Sequence, residues 1–377
     1  MSEYQYYEFQ AVDRPLARAE QQELRAISTR ARITASSFVN SYDWGDLKAD
    51  PTRLLEKYFD LFLYLANWGS RRFAMRLPRE LAEPEELERF ALDEDFATIR
   101  TAGDHLILDI YRDEIGLDDY EWDDGAGRLG ALAPLRADVL DGDLRTFYLV
   151  WLMAVEAGYI GDGAAQPLPG IAPLTASLQA FAEFFYIDAD LLEAAAQGSV
   201  AVPDPPRAAV ETFVRSLPED EKTALLLRLH DNDPRLGAEF RRRCRQAVFS
   251  PAATVPHRTA GELRAMAQRL AGERRRIAEE KAAAESRCSE EERAKARAVH
   301  LAALAERGEG VWREVEDRIA LRNTSGYDRA ASLLVDLREI ARANGTAELF
   351  FRRLAALRAR HKRKGRFIER LDPDGLG

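Results

Sequence analysis

The side chains of this chain best suited to metal or nucleophilic chemistry are five histidines and two cysteines. His105, His230, His257, His300 and His361 stand far apart. No two fall at the spacing that sets two imidazoles on one helix face or one metal loop. Cys244 and Cys288 exclude a four-cysteine zinc site and a disulfide framework, and they fit a reducing cytoplasm. Cys244 stands among Arg241, Arg242, Arg243 and Arg245, cations that would lower a thiol pKa. A catalytic thiol also needs a base and an oxyanion site. Neither is legible, so a half-buried helical cysteine is the expectation. Cys288 sits on a long charged helix and reads as inert.

Phosphate-binding and acyl-transfer motifs are missing. There is no G-x-x-x-x-G-K-[ST], no G-x-G-x-x-G after a strand and no G-x-S-x-G. Gly125, Gly127 and Gly130 cluster, but the acidic residues before them would repel phosphate. A calcium loop starting at Asp119 needs glycine at its sixth position and glutamate at its twelfth. The chain has Asp124 and Gly130 there, so the EF-hand is rejected. Carboxylates are too plentiful for any sequence-adjacent pair to mark an acid–base site. No catalytic, metal or cofactor-binding residue is assigned, and no cofactor is expected.

Two groups of residues rise above this background. The first is a doubled Trp-Gly. Trp44-Gly45-Asp46 follows one strand, and Trp68-Gly69-Ser70-Arg71-Arg72 lies between two. Tryptophan and arginine on loops at a sheet edge dominate binding hot spots. Trp44, Asp46, Trp68, Arg71 and Arg72 are therefore partner-binding candidates, against the alternative that both tryptophans fold back as core anchors. The second group is the terminal run Arg352, Arg353, Arg358, Arg360, Lys362, Arg363, Lys364 and Arg366. Its density suits a phosphate backbone or an acidic protein face. The bland alternative is a helical cap whose cations favour its C-terminal end.

The elements that must position these residues follow from periodicity. Residues 1–112 read as an α+β domain. Tyr7, Phe9 and Ala11 alternate with polar neighbours. Asp50-Pro51 opens a short helix. Leu61 to Asn67 is an apolar strand, and Phe73, Met75 and Leu77 alternate with Arg72, Ala74 and Arg76. Pro84 to Phe90 reads as a short acidic helix, and Gly103-Asp104 joins a hairpin. This order suggests a ferredoxin-like mixed sheet covered on one face by helices. Residues 113–125 form an acidic linker. Residues 126–256 form a helical domain. In it Leu144, Phe147, Tyr148, Trp151, Leu152 and Val155 share one stripe, and Ser216 with Glu219 forms a capping box before the buried leucines 225, 226 and 229.

Thr259 with Glu262 makes a second capping box that starts a long charged helix over 257–306. Its apolar seam is thin, so it reads as a weak coiled coil or an exposed spacer, and homo-oligomerisation stays undetermined. Residues 307–377 form a basic C-terminal domain of helical hairpins.

The 377 residues carry a net charge of −10 that is spread unevenly. Residues 1–150 hold 18 basic and 30 acidic side chains, whereas residues 257–377 hold 27 and 20. Opposite poles argue for different partners at the two ends, or for one end docking on the other. No stretch approaches the ~18 uncharged apolar residues of a spanning helix, and the N-terminus lacks the basic and apolar regions of a signal peptide. A cytoplasmic protein that does not engage membranes is expected.

The stretch from Tyr327-Asp328-Arg329-Ala330 through Leu333-Leu334-Val335-Asp336-Leu337, then Phe350, Leu354, Leu357, Arg358, His361, Lys362, Arg363, Lys364, Phe367 and Leu371, resembles the C-terminal tail of bacterial SWIM-zinc-finger proteins. The likeness covers about the last 50 residues. That family's zinc motif needs three cysteines and a histidine, which this chain does not supply. Tyr6-Tyr7-Glu8-Phe9 and Ser41-Tyr42-Asp43-Trp44-Gly45-Asp46 resemble an uncharacterised bacterial protein family. The resemblances imply a bacterial setting and no zinc site.

The expectation is a non-enzymatic interaction, scaffold or regulatory protein that binds another protein. Direct nucleic-acid binding through the basic tail is the first alternative. An enzyme with its site between the α+β and helical domains is the second.

Overall fold

The computed structural model describes residues 3–81, 90, 95–113, 123–199, 205–231, 233, 235–248 and 258–371. The acidic helix expected over 84–90 and most of the acidic linker lie outside these residues, as does His257. The chain divides into two compact units, Met1–Glu273 and Arg274–Gly377. The expected α+β head and helical body are both present, and they share the first unit.

Strands β1 (Gln5–Gln10), β2 (Arg32–Ile33), β3 (Ser37–Tyr42), β4 (Leu61–Ala66), β5 (Arg71–Pro78), β6 (Ala97–Ala102) and β7 (His105–Arg112) form one sheet. Its order is β2-β3-β1-β4-β5-β7-β6. Every neighbouring pair is antiparallel. Helices α1 (Arg18–Ile27) and α2 (Pro51–Tyr58) lie near the N-terminus. Asp50 caps α2 through its carboxylate, which accepts from Thr52 N at 2.9 Å.

Alternation along the strands divides the core. Leu61, Leu63 and Leu65 of β4, with Phe73, Met75 and Leu77 of β5, face the helices that follow the sheet. These are α3 (Arg128–Leu132), α4 (Pro134–Leu140), α5 (Arg145–Glu156), α6 (Ala176–Phe184) and α7 (Ala189–Ala196). The opposite set, Phe9, Phe62, Ala74 and Ile107, packs on Leu24 of α1 and on Leu54, Leu55 and Tyr58 of α2. Helices therefore cover both faces of the sheet, not one. This also explains why β4 reads as an unbroken apolar run. Each large side chain so buried contributes roughly 1.5–3 kcal/mol.

The acidic stretch 113–125 does not separate the sheet's core from that of the helices. Leu129, Phe147 and Phe181 of the helices lie in the same cluster as the leucines of β4. Outside that cluster are α8 (Arg207–Ser216) and α9 (Glu219–His230), whereas α10 (Leu236–Val248) packs against it through Ala238. The expected capping box at 216–219 does not form. Ser216 Oγ donates back to Phe213 O at 2.7 Å, and α9 starts behind Pro218. Leu226 and Leu229, expected in a buried face, are exposed, because α9 lies outermost against α10.

A buried ionic cluster ties the first unit together. Asp60, 1% exposed, stands between α2 and β4. Its Oδ2 accepts from Val12 N at 2.7 Å and Asp13 N at 2.9 Å. Its Oδ1 accepts from Arg76 Nη2 at 2.7 Å and Nε at 3.2 Å. Arg136 of α4 donates from Nε to Arg76 O at 2.8 Å and from both terminal nitrogens to Asp13 at 2.9 and 2.8 Å. Burial pushes the Asp60 carboxyl up. The two backbone N–H groups, Arg76 and Arg136 outweigh it and hold the pKa below its ordinary value.

The long helix α11 (Ala260–Arg307) begins with the expected reciprocal cap. Glu262 N donates to Thr259 Oγ1 at 3.2 Å, and Thr259 N donates to Glu262 Oε2 at 2.8 Å. Residues 272–296 of α11 are exposed on every side. The second unit adds α12 (Glu309–Ala320), α13 (Thr324–Ala343), α14 (Ala347–Arg360) and α15 (Gly365–Leu371). Val311, Val315, Leu333, Leu334, Phe350 and Phe367 are among its core.

Replacing Asp60 with alanine leaves the Arg76 guanidinium without its carboxylate and two backbone N–H groups without their acceptor, and should cost about 3–5 kcal/mol in urea unfolding. With its pKa lowered by folding, Asp60 contributes fully above its unfolded value of about 3.9 and less as pH falls through the folded one. The wild type should therefore lose more stability below about pH 4 than Asp60→Asn does. Equal acid limbs would contradict the assignment.

Candidate functional site

The start of β1, the ends of β3, β4 and β7 and the start of β5 meet at one end of the sheet. Register places Gln5 opposite Tyr42 and Ala66, and Arg71 opposite Arg112. Both tryptophans sit on the connections that leave this end. Trp44 is 71% exposed and Trp68 is 42% exposed, so neither is a core anchor. Residues 66–70 turn tightly: Gly69 N donates to Ala66 O at 3.1 Å, and Ala66 N to Ser70 O at 2.9 Å. Gly69 has φ of +98°, a conformation only glycine adopts freely. Trp68 Nε1 donates to Ser70 Oγ at 3.0 Å, which steadies the exposed indole.

Beneath the tryptophans one rung crosses the sheet: Asn40, Tyr7, Tyr64, Arg72 and Tyr111 stand directly opposite one another in turn. The Tyr7 ring lies 4.9 Å from Tyr64 and 5.9 Å, at right angles, from Tyr42. The Tyr7 hydroxyl donates to Asp46 Oδ1, and the Tyr64 hydroxyl donates to Gln5 Oε1 at 3.0 Å. Gln5 Nε2 in turn donates to Gly45 O at 2.9 Å. Asp46, itself exposed, thus holds the Trp44 loop on the sheet. Burial, then Asp46 and Asp113, push the Tyr64 hydroxyl up to about 12, so it stays a neutral donor.

Two expected contact residues are committed inside the fold. Arg71 is 1% exposed. It donates to Ala66 O at 2.9 Å and Ser70 O at 3.1 Å, with its guanidinium over the Phe184 and Tyr186 rings. Arg72 grips Asp109 with two hydrogen bonds of 2.8 and 2.6 Å and Thr52 Oγ1 with a third of 2.8 Å. Neither is a loop residue: β5 begins at Arg71, and successive residues of a strand go to opposite faces. The surface that remains at this end is Trp44 and Trp68, with Tyr186 and the exposed aspartates 43, 113 and 124.

A cleft of about 760 Å³ lies at the other end of β5 against α4 and α10. Arg14, Arg76, Arg136, Arg235, Arg241 and His105 line it. Sequence reasoning did not single out this group, because the arginines come from separate elements and loops far apart in the chain. Each arginine faces a carboxylate: Glu20, Asp60, Asp13, Glu80 and Asp141 respectively. Only the Arg76 and Arg136 pairs are largely buried, whereas Arg14, Arg235 and Arg241 pair at the exposed rim. Cys244 does not line the cleft. That residue is buried, and burial pushes its thiol pKa up, against the lowering expected from its arginine neighbours. Among the described residues no cluster of His, Cys, Asp and Glu could hold a metal ion.

In the second unit the basic run separates into two classes. Arg353 pairs with Glu309 and covers the Trp312 ring, and Arg360 pairs with Glu316 at 2.9 Å. Lys364 Nζ donates to Ile319 O at 3.0 Å, closing the C-terminal end of α12. Arg358 is half-buried on α14. Arg352, Lys362, Arg363 and Arg366 are exposed and have no partner among the described residues.

His105 gives a direct test of the cleft. Burial, then Arg76 and Arg235, lower its pKa from the ordinary 6.5. Its imidazole resonance should titrate with a midpoint below 6.5. Unfolding takes up a proton here as pH falls below that value, so His105→Gln should lose less stability between about pH 7 and 5 than the wild type. An unshifted or raised midpoint would contradict the electrostatics described. Comparison with models of known families, with curated proteins and with solved structures gave no match to this chain.

Proposed function

We propose that this is a non-enzymatic interaction protein of the bacterial cytoplasm that scaffolds or regulates another protein, docking it at the tryptophan-bearing end of the sheet. One observation carries the reading: two tryptophans are solvent-exposed at the same end of a rigid sheet, on loops held down by internal hydrogen bonds. Burying such side chains against a partner commonly contributes about 2 kcal/mol or more each. Because the loops are already ordered, little conformational entropy remains to be lost on binding. The surrounding aspartates favour a partner whose rim carries lysine or arginine. Two unpaired cysteines, one of them exposed, fit a reducing compartment.

No helix among the described residues is long and apolar enough to cross a membrane.

The double variant Trp44→Ala/Trp68→Ala tests the proposal. Both side chains are exposed, so its unfolding free energy should stay within about 0.5 kcal/mol of the wild type. Co-purification from the native host should lose a stoichiometric partner, and affinity for that partner should drop by roughly 1,000-fold, about 30-fold for each tryptophan. A partner retained at unchanged affinity would overturn this docking site.

A further inference from the structure

The second unit carries a different surface. We infer that the end of its helical bundle formed by the α12–α13 and α14–α15 turns binds the phosphate backbone of a nucleic acid. Lys364, donating to Ile319 O, fixes the α14–α15 turn on the end of α12. Arg370, paired with Asp328, fixes α15 on the start of α13. These ties bring Arg322, from the first turn, to the same end as Lys362, Arg363 and Arg366 from the second. All four are exposed, and none has a partner among the described residues.

Among the described residues the nearby carboxylates do not neutralise them. Glu316 is taken by Arg360 and His361, and Asp328 by Arg370. Asp317 and Glu369 are exposed at this end and reduce the excess without cancelling it. Internal pairing thus occupies Glu316 and Asp328 and leaves an outward cationic cluster. Such a cluster recognises closely spaced phosphates by charge and counterion release, without reading bases.

Arg352 belongs to the same basic run but lies on α14 about two turns before its end, outside this cluster. It therefore serves as an internal control. About four phosphate contacts imply that log affinity falls with log salt at a slope of about −3.6 on duplex DNA, or roughly 150-fold between 50 and 200 mM.

The experiment is fluorescence anisotropy of a labelled duplex of about 20 base pairs with the full chain at roughly 50, 100 and 200 mM salt. The variants are Lys362→Gln/Arg363→Gln/Arg366→Gln and, separately, Arg352→Gln. The expected result is binding at the lowest salt with the steep slope, a slope shallower by about 2.7 in the triple variant, and near-wild-type behaviour in Arg352→Gln. Trp44→Ala/Trp68→Ala should bind DNA as the wild type does, which separates this inference from the docking proposal. No binding at the lowest salt, or binding that the triple variant leaves intact, overturns it. Polyglutamate binding in place of DNA also overturns it, in favour of an acidic protein face. Unchanged thermal melting of the triple variant confirms that lost binding is not lost folding.

Discussion

The first unit depends on placing one carboxylate where water cannot reach it. Asp60 satisfies two backbone N–H groups of the chain leaving β1 and the guanidinium of Arg76 on β5. Arg136 closes the group from α4 by binding Asp13 and the Arg76 carbonyl. Desolvating these charges is costly, and the ion pairs offset that cost only because almost every donor and acceptor is matched. Such a cluster adds little net stability over a well-packed apolar core. What it fixes is alignment: sheet, N-terminal loop and α4 can satisfy it in one arrangement.

The same logic sorts the molecule's arginines. Where an arginine meets a carboxylate under cover, as Arg72 meets Asp109 or Arg76 meets Asp60, it is a structural tie. Where it meets none among the described residues and faces water, as Arg363 and Arg366 do, its charge is available to a partner. Pairing within residues 1–150 and within the segment after residue 256 removes charges of both signs equally, so the acidic excess of one and the basic excess of the other persist. Exposed Arg322, Lys362, Arg363 and Arg366 gather at one end of the second unit's bundle, while the two tryptophans mark one end of the first unit's sheet.

Element types were largely legible because local rules decide them. Asp50-Pro51 caps α2, the Thr259–Glu262 box opens α11, and Gly103-Asp104 joins β6 to β7. Local rules failed where tertiary packing had the casting vote. Ser216 has the spacing of a cap but turns back onto its own helix. The leucines of α9 have the hydropathy of a core but lie on an outer helix. Cys244 stands beside four arginines in sequence, yet desolvation governs its thiol.

By itself the sequence determined the classes: an α+β head, helices after it, a long charged helix and a basic end, with no metal-ligand spacing or phosphate loop. These follow from side-chain period, capping residues and charge count, all of which act over a few neighbours. Tertiary structure alone decided which candidates face outward. Arg71 and Trp68 are close neighbours in the chain, yet one is buried under Phe184 and Tyr186 and the other meets solvent. Burial depends on what arrives from more than a hundred residues away, and no local pattern encodes that.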